Sequence, residues 1–545
     1  MRSGLMSTNV LRLVAWFGAA AATGFDQQPL TTVEEQASGA RNPFTDEFAQ
    51  IAEQGLQDWH VAGFAISVVD GNDTFATGFG FATLPDVPAT AETLWYVGST
   101  TKAFTTASLA TLIDSNNHSE LSLGWKTQIS AVIRDDFVLQ DEWATAHLTL
   151  EDAASHRTGM TRHDQTIIWE PESPRGIVKH TVRNLRNLPI HIEPRTEFHY
   201  CNLFYTVLTH VIETLTGKRL GDVMKELIWE PLGMNSTYYD LDEARAAPEH
   251  LSQGYAWHED IQQLKPLAHI QTAALNGAGA MISNVIDYTK WLKCLINKTQ
   301  PFSQAVHNEI RTPRIMGSFE TLSSDMTSYS LSWVRSTIHG RTVYLHSGST
   351  LTHGALVYWF PDDNYGVTIF ANSVTPLRQI LMYKLLEEKF NVPKDERVDV
   401  EAREKRNDKE MKRFIANATN IAYPNRPSTP LPPSLNLSEH AGTYEDAGYG
   451  AVRFYVGSHP SRPKETTLIA ERTDRGWNET VRMEHVTGDW WLWCGYIKDG
   501  PSEMDYFSKA EFRTGPDGKV SSLEVEIYDY IEDLREGIIS YKKVG

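Results

Sequence analysis

Strand-forming sequence stands at both ends of one long helix-forming stretch, and this arrangement constrains the fold more than any other feature. Phe64–Val69 is an apolar, β-branched run. Asp70–Asp73 supplies a turn, and Thr74–Phe81 returns as a second strand. Some three hundred residues later Ala355–Phe360 and Gly366–Ala371 flank another turn, Pro361–Asn364. Between the hairpins lie helical patterns over Thr101–Ile113, Leu203–Leu215 (stopped at Gly217) and Asp287–Ile296. Strands at both ends with helices between predict an α+β domain whose antiparallel sheet is built from both ends of the segment.

At 545 residues the chain exceeds one ordinary domain. Lys394–Arg413 is densely charged with mixed sign and reads as a solvated helix. Pro424, Pro427, Pro430, Pro432 and Pro433 then break regular structure. Beyond Leu435 come short strand-like runs: Gly442–Tyr444, Val452–Val456, Thr467–Ala470, Trp490–Cys494 and Leu523–Tyr528. They predict a small antiparallel barrel or sandwich, with Trp490, Trp491 and Trp493 as core and rim residues. The expected organisation is therefore a leader over residues 1–22, a catalytic domain over 40–385, a charged helix and Pro-rich linker over 386–434, and an all-β domain over 435–545.

Arg2 and Arg12 precede an apolar run, Leu13–Ala22, ending in small residues. This fits a secretory signal peptide and is too short to span a bilayer, so no stable membrane insertion is expected. Asn-x-Ser/Thr acceptors begin at Asn72, Asn117, Asn235, Asn297, Asn417, Asn436 and Asn478. Both features favour a secreted, glycosylated protein; a cytoplasmic location is the alternative. The formal net charge of −19 repels phosphate backbones and argues against a nucleic-acid partner. Cys201, Cys294 and Cys494 make no disulfide framework and read as three buried thiols, although spacing leaves one pair open.

The sharpest chemical feature is Ser99-x-x-Lys102 at the entrance to an amphipathic helical pattern. One turn places both side chains on one face. A serine hydroxyl is a weak nucleophile until a base takes its proton, and a lysine serves only when its pKa is lowered. Tyr200-x-Asn202 precedes the second helix and supplies a phenol and an amide two residues apart. The phenolate is a candidate base beside an ammonium; the amide offers both a donor and an acceptor. His346-Ser347-Gly348-Ser349 stands just before the closing hairpin, where small residues let substrate backbone approach a strand edge. A backbone N–H there, with that of Ser99, forms a candidate oxyanion hole. Gly277-Ala278-Gly279 reads as a tight turn, and His346 and His353 as one site histidine and one loop histidine. The residues suggest no metal site.

In this order and spacing, the three elements resemble the serine β-lactamase and penicillin-binding-protein family, in its class C and D-aminopeptidase (peptidase S12) branch. Leu150–Met160, Pro231–Thr237 and Ala278–Ser283 carry the same resemblance. It covers about residues 40 to 380. It implies Ser99 as nucleophile, Lys102 and Tyr200 as proton-handling partners, Asn202 as a substrate-orienting residue, and an oxyanion hole from the N–H groups of Ser99 and Ser349. His346, Ser347, Gly348 and Ser349 are the further substrate-binding candidates. It implies no metal or organic cofactor. The third element departs from the pattern, because His346-Ser347-Gly348 stands where β-lactamases carry Lys-Thr-Gly. Histidine there is similar to D-stereospecific aminopeptidases and related esterases. The region after Leu435, with Ala441–Tyr444 and Gly448–Gly450, resembles the lipocalin-like C-terminal domain of some such peptidases. The expected activity is hydrolysis of esters or amides, on a small-molecule or peptide substrate, through an acyl-enzyme on Ser99. An acyltransferase using the same intermediate and a catalytically inactive binding scaffold are the alternatives. Oligomeric state is left open.

Overall fold

The computed structural model of the chain describes residues 39–167, 174–271, 274–317, 326–476, 478–501, 503–529 and 534–545. The expected leader, residues 1–22, lies outside them.

The expected hairpins form and pair with one another. Gly63–Asp70 and Asp73–Thr83 are joined across Gly71-Asn72, with Gly71 at φ +62. Tyr365–Ala371 lies antiparallel to Gly63–Asp70, with Phe64 opposite Ala371. Among the described residues the sheet has nine strands, in the order Val87–Pro88, Asp73–Thr83, Gly63–Asp70, Tyr365–Ala371, Gly354–Phe360, Arg341–Ser349, Val334–Ile338, Ser328–Tyr329 and Ile315–Met316. Gly354–Phe360 and Tyr365–Ala371 are buried at every position, because helices cover both faces of the sheet.

The helix Thr101–Ser115 departs from the expected amphipathic pattern. Thr101–Ala110 is buried at every position. The Thr, Ala and Ser residues that read as a polar face are small enough to pack against helices Asn276–Gly279, Gln304–Arg311 and Leu203–Thr216. Their hydroxyls bond to carbonyls: Thr105 Oγ1 donates to Gly277 O at 2.8 Å and Thr101 Oγ1 to Gly98 O at 2.7 Å. This helix is the spine of the domain, and whatever it carries at its N-terminal end is desolvated.

The boundary expected at 385/386 falls inside helix Leu377–Lys389, whose Leu381, Leu385 and Leu386 pack in the same core as the sheet, so this unit runs to at least Lys389. The charged segment forms helix Val400–Ala416. The proline-rich stretch is pinned along the next domain, with Leu431 N donating to Thr487 Oγ1 at 3.0 Å and Ser434 N to Asp489 Oδ1 at 3.0 Å.

The C-terminal domain is a closed barrel of eight consecutive antiparallel strands, from Gly442–Asp446 to Leu534–Lys543, sealed by the pairing of Tyr444 with Lys543. Closure leaves no free sheet edge. Trp491 and Trp493 point inward, while Trp490 sits on the rim beside Tyr423. Cys201, Cys294 and Cys494 are buried thiols, none of them in a disulfide. Among the described residues no helix is long and apolar enough to cross a membrane.

Candidate active site

Ser99 lies in a 3-10 turn, Gly98–Thr100, that leads straight into the spine helix. Trp95–Tyr96 pairs with Ile282–Ser283 and Val97 N donates to Met281 O at 3.1 Å, so the Ala278–Ser283 stretch braces the approach to the nucleophile. Gly98 takes φ +50, which favours glycine; a Cβ there would also stand 2.7 Å from Ser349 N.

Lys102 has 0 % exposure. Its Nζ lies 2.7 Å from Asn202 Oδ1, 2.7 Å from Ala278 O and 3.2 Å from Ser99 Oγ. Burial drives its pKa well below the ordinary lysine range; Asp164 pulls it back up and Arg162 pushes it further down. A neutral amine has two hydrogens and one lone pair. Asn202 Oδ1 and Ala278 O can only accept, so they take the hydrogens, and the lone pair is left for the Ser99 hydroxyl.

Tyr200 is half-buried and hydrogen-bonds the Ser99 side chain. Its ring lies 4.8 Å beneath Lys102 Nζ, with the Arg162 guanidinium 5.1 Å from the ring centre. Burial raises the phenol well above its usual range, against the pull of Ser99 and Arg162, so Tyr200 rests protonated. In both candidate proton handlers burial disfavours the charged form, moving Lys102 toward the neutral amine and Tyr200 toward the phenol.

The Tyr200–Asn202 segment is held by His156, from the Leu150–Met160 stretch. His199 N donates to His156 O at 2.8 Å, and Cys201 N donates to His156 Nδ1 at 3.1 Å. The imidazole packs 4.2 Å from the Tyr200 ring, and burial followed by Lys102 holds it neutral.

The third element meets the nucleophile as backbone. Arg341–Ser349 pairs with Val334–Ile338 only as far as Leu345; His346–Ser349 pairs on the other side with Gly354–Val357. A Cβ on Gly348 would stand 2.0 Å from Val97 O and 3.1 Å from Ser99 N. Gly348 is thus required by contact with the nucleophile turn, a use the expectation of close substrate approach did not include. Ser347 Oγ is buried, with no hydrogen-bond partner among the described residues.

His346, expected among the substrate-binding residues, has both ring nitrogens engaged inside the protein. Nδ1–H donates to Ser347 O at 2.6 Å, which leaves Nε2 to accept from Tyr329 OH at 3.0 Å. Burial and then Lys102 lower its pKa to about 3, so it is neutral at any ordinary pH. His353 is the expected loop histidine, bonded to Ser252 Oγ at 3.0 Å.

The structure adds roles the sequence did not assign. Ala278 contributes only its carbonyl. Asp164 accepts from Asn202 Nδ2 with both oxygens, at 3.0 Å each, and pairs with Arg162 Nε at 3.2 Å. Arg162-His163-Asp164 reads in sequence as an ordinary charged turn.

The Beta-lactamase family model matches residues 48–387, the segment that carries all of these groups. The chain belongs to the beta-lactamase family. A second model, described as a domain of unknown function (DUF3471), matches residues 426–536, the barrel. Among curated proteins, an unguisins hydrolase of Aspergillus campestris is 33% identical over 489 residues, covering 89% of this chain and 90% of that protein. An unguisins hydrolase of Aspergillus violaceofuscus is 34% identical, covering 82% of each. Among solved structures, the octameric penicillin-binding protein homologue from Pyrococcus abyssi aligns over 91% of this chain and 99% of its own, with TM-score 0.57 and 19% identity. The D-amino acid amidase from Ochrobactrum anthropi aligns over 63% of this chain and 97% of its own, with TM-score 0.52 and 18% identity. These structural likenesses establish the fold; family and relatives establish a serine hydrolase of the beta-lactamase superfamily.

Proposed function

We propose that the protein hydrolyses an ester or amide bond through an acyl-enzyme on Ser99. One observation carries this reading: the buried Lys102 Nζ stands 3.2 Å from Ser99 Oγ and 2.7 Å from both Asn202 Oδ1 and Ala278 O, so in its neutral form the two oxygens take its hydrogens and its lone pair is left for the Ser99 hydroxyl. In the forward step Ser99 Oγ attacks the carbonyl carbon and its proton passes to Lys102 Nζ. The N–H groups of Ser99 and Ser349, on backbones in direct contact, hold the oxyanion. Tyr200 gives its proton to the leaving oxygen or nitrogen and regains one from Lys102, so the site returns to its starting charge. Water then attacks the acyl carbon with the same two groups, releasing the acid.

No lysine occupies position 346, and His346 is neutral and engaged, so this position supplies no cation for a substrate carboxylate. Neutral substrates are therefore favoured. The Aspergillus relatives are named for the hydrolysis of unguisins, which makes unguisins the first natural substrates to offer.

A panel of a p-nitrophenyl ester, a D-aminoacyl p-nitroanilide, a β-lactam and an unguisin tests the reading. The expected result is turnover of an ester or amide with a stoichiometric burst, and free acid as product even with an added competing alcohol. Transfer of the acyl group to the alcohol as the main product would make the protein an acyltransferase. Absence of turnover and burst on the whole panel would overturn the assignment.

A further inference from the structure

The barrel is linked to Lys102 by hydrogen bonds and one covalent step: Tyr449 bonds His163, the chain neighbour Asp164 bonds Asn202, and Asn202 bonds Lys102. Tyr449, in the loop between the first two barrel strands, is 2 % exposed, and its hydroxyl lies 2.6 Å from His163 Nδ1. His163 Nε2 lies 3.2 Å from Pro189 O. A carbonyl only accepts, so Nε2 carries the hydrogen and Nδ1 accepts from the Tyr449 hydroxyl. His163 adopts φ +46, in the left-handed region that L-residues enter only at a cost. Around this left-handed residue Arg162 and Asp164 stay paired at 3.2 Å and face Tyr200 and Asn202, while His163 turns toward the barrel.

Asp164 decides which way the Asn202 amide faces. A carboxylate accepts and never donates, so it draws the amide NH2 group onto both of its oxygens at 3.0 Å and turns Oδ1 toward Lys102. A flipped amide would present N–H to the lysine, which would then lose an acceptor and turn its lone pair away from Ser99. The barrel side of the chain is equally fixed. Tyr449 O accepts from Arg475 at 3.0 Å and from Arg472 at 3.2 Å, and Arg472 is itself buried against Glu479 at 2.8 Å. Across the loop, Asn184 Nδ2 donates to Gly448 O at 2.8 Å.

We propose that Asp164 and Tyr449 are positioning residues of the acylation step, Asp164 by orienting the Asn202 amide and Tyr449, from the barrel, by holding through His163 the turn that aims Asp164. The proposal rests on Ser99 and Lys102 acting as described above. Neither residue touches the reacting atoms.

The test uses the full chain and the rate of acylation by a fluorophosphonate and by a p-nitrophenyl ester, normalised to titrated active sites, across pH. Asp164→Asn is expected to slow acylation about 10- to 100-fold, the scale of a small misplacement of reacting groups. It also moves the acid limb of the rate profile to lower pH, because the carboxylate that raises the Lys102 pKa is gone. Tyr449→Phe keeps the ring and all charges. It is expected to lower the plateau about tenfold, with the limb unmoved. The double variant is expected to be no slower than Asp164→Asn alone, since both break one chain. Should Asp164→Asn not fold, His163→Asn, which tolerates the left-handed backbone, takes its place and is expected to match Tyr449→Phe with no added loss in combination. Tyr449→Phe at the wild-type rate, or multiplicative losses in the double variant, would overturn the proposal. Ser99→Ala run alongside separates the failures: if it still labels, the nucleophile assignment is wrong, whereas a silent Ser99→Ala beside a normal Tyr449→Phe removes only the coupling.

Discussion

A Cβ placed on Gly348 would stand 2.0 Å from the carbonyl oxygen of Val97. The strand that closes the active site and the turn that carries the nucleophile therefore touch backbone to backbone, and no side chain fits between them.

Gly348→Ala forces these two backbones apart. Overpacking of this kind costs about 1–3 kcal/mol of stability. It also separates the N–H groups of Ser99 and Ser349, and loss of one oxyanion donor costs roughly 10²- to 10³-fold in kcat. The expected outcome is a lower Tm together with a kcat loss of that order and a KM changed far less. A Gly348→Ala enzyme with wild-type kcat would show that the contact does not build the oxyanion site.

Lys102 and Tyr200 meet at one hydroxyl, so they are expected to act as one proton network. Lys102→Ala and Tyr200→Phe should each slow acylation by about 10²- to 10⁴-fold, the usual scale for losing proton transfer. The double variant should lose far less than the product of the two. Single-turnover kinetics of all four proteins decide this; strictly multiplicative losses would mean two independent groups.

Acid should destabilise the fold. Burial lowers His346 and His353 to about 3 and His163 to about 4, from 6.5. The unfolded chain therefore binds protons below pH 6.5 that the folded chain refuses. Stability is fully present above about 6.5 and falls, for each histidine, by about 1.4 kcal/mol per pH unit until its folded pKa is reached. The urea midpoint should drop clearly between pH 7 and pH 5, and less so in His353→Gln. Equal midpoints at the two pH values would contradict the buried, neutral assignment.

His346→Lys would place an ammonium where the wild-type site has a neutral, engaged ring. A charge-assisted bond is about twice as strong as a neutral one. Relative kcat/KM for a substrate carboxylate over its methyl ester should rise by an order of magnitude, corresponding to about 1.4 kcal/mol. If wild type already favours the carboxylate and the ratio does not move, position 346 does not set charge selectivity.

How much of this was legible in the sequence depends on where the chemistry resides. Ser99, Lys102, Tyr200 and Asn202 were readable because their side chains do the work and the spacing Ser-x-x-Lys has a helical reason. The paired hairpins were readable because apolar, β-branched runs ended in turn residues. Ala278 was not, since a carbonyl oxygen carries no residue signature. Asp164 was hidden because Arg162-His163-Asp164 looks like any solvated turn until Asn202 and Tyr449 arrive from about forty and three hundred residues away. The pattern over Thr101–Ser115 reads as amphipathic because hydroxyls bonded to carbonyls inside a core look polar in sequence. Three barrel strands, Glu479–Thr487, Tyr506–Thr514 and Leu534–Lys543, went unseen: polar and charged residues interrupt their apolar ones, as the alternating burial of Glu479–Thr487 shows. His346 was correctly seen as a departure from lysine, but the engagement of both its nitrogens depends on Tyr329 from a neighbouring segment.

The central claim is that Ser99 carries the acyl group, and intact-protein mass spectrometry after rapid acid quench tests it most directly. Wild type mixed with a slowly released ester should gain the mass of one acyl group, mapped to the peptide containing Ser99 and lost on longer incubation, while Ser99→Ala gains none. An adduct on another residue, or the same adduct in Ser99→Ala, would contradict the account.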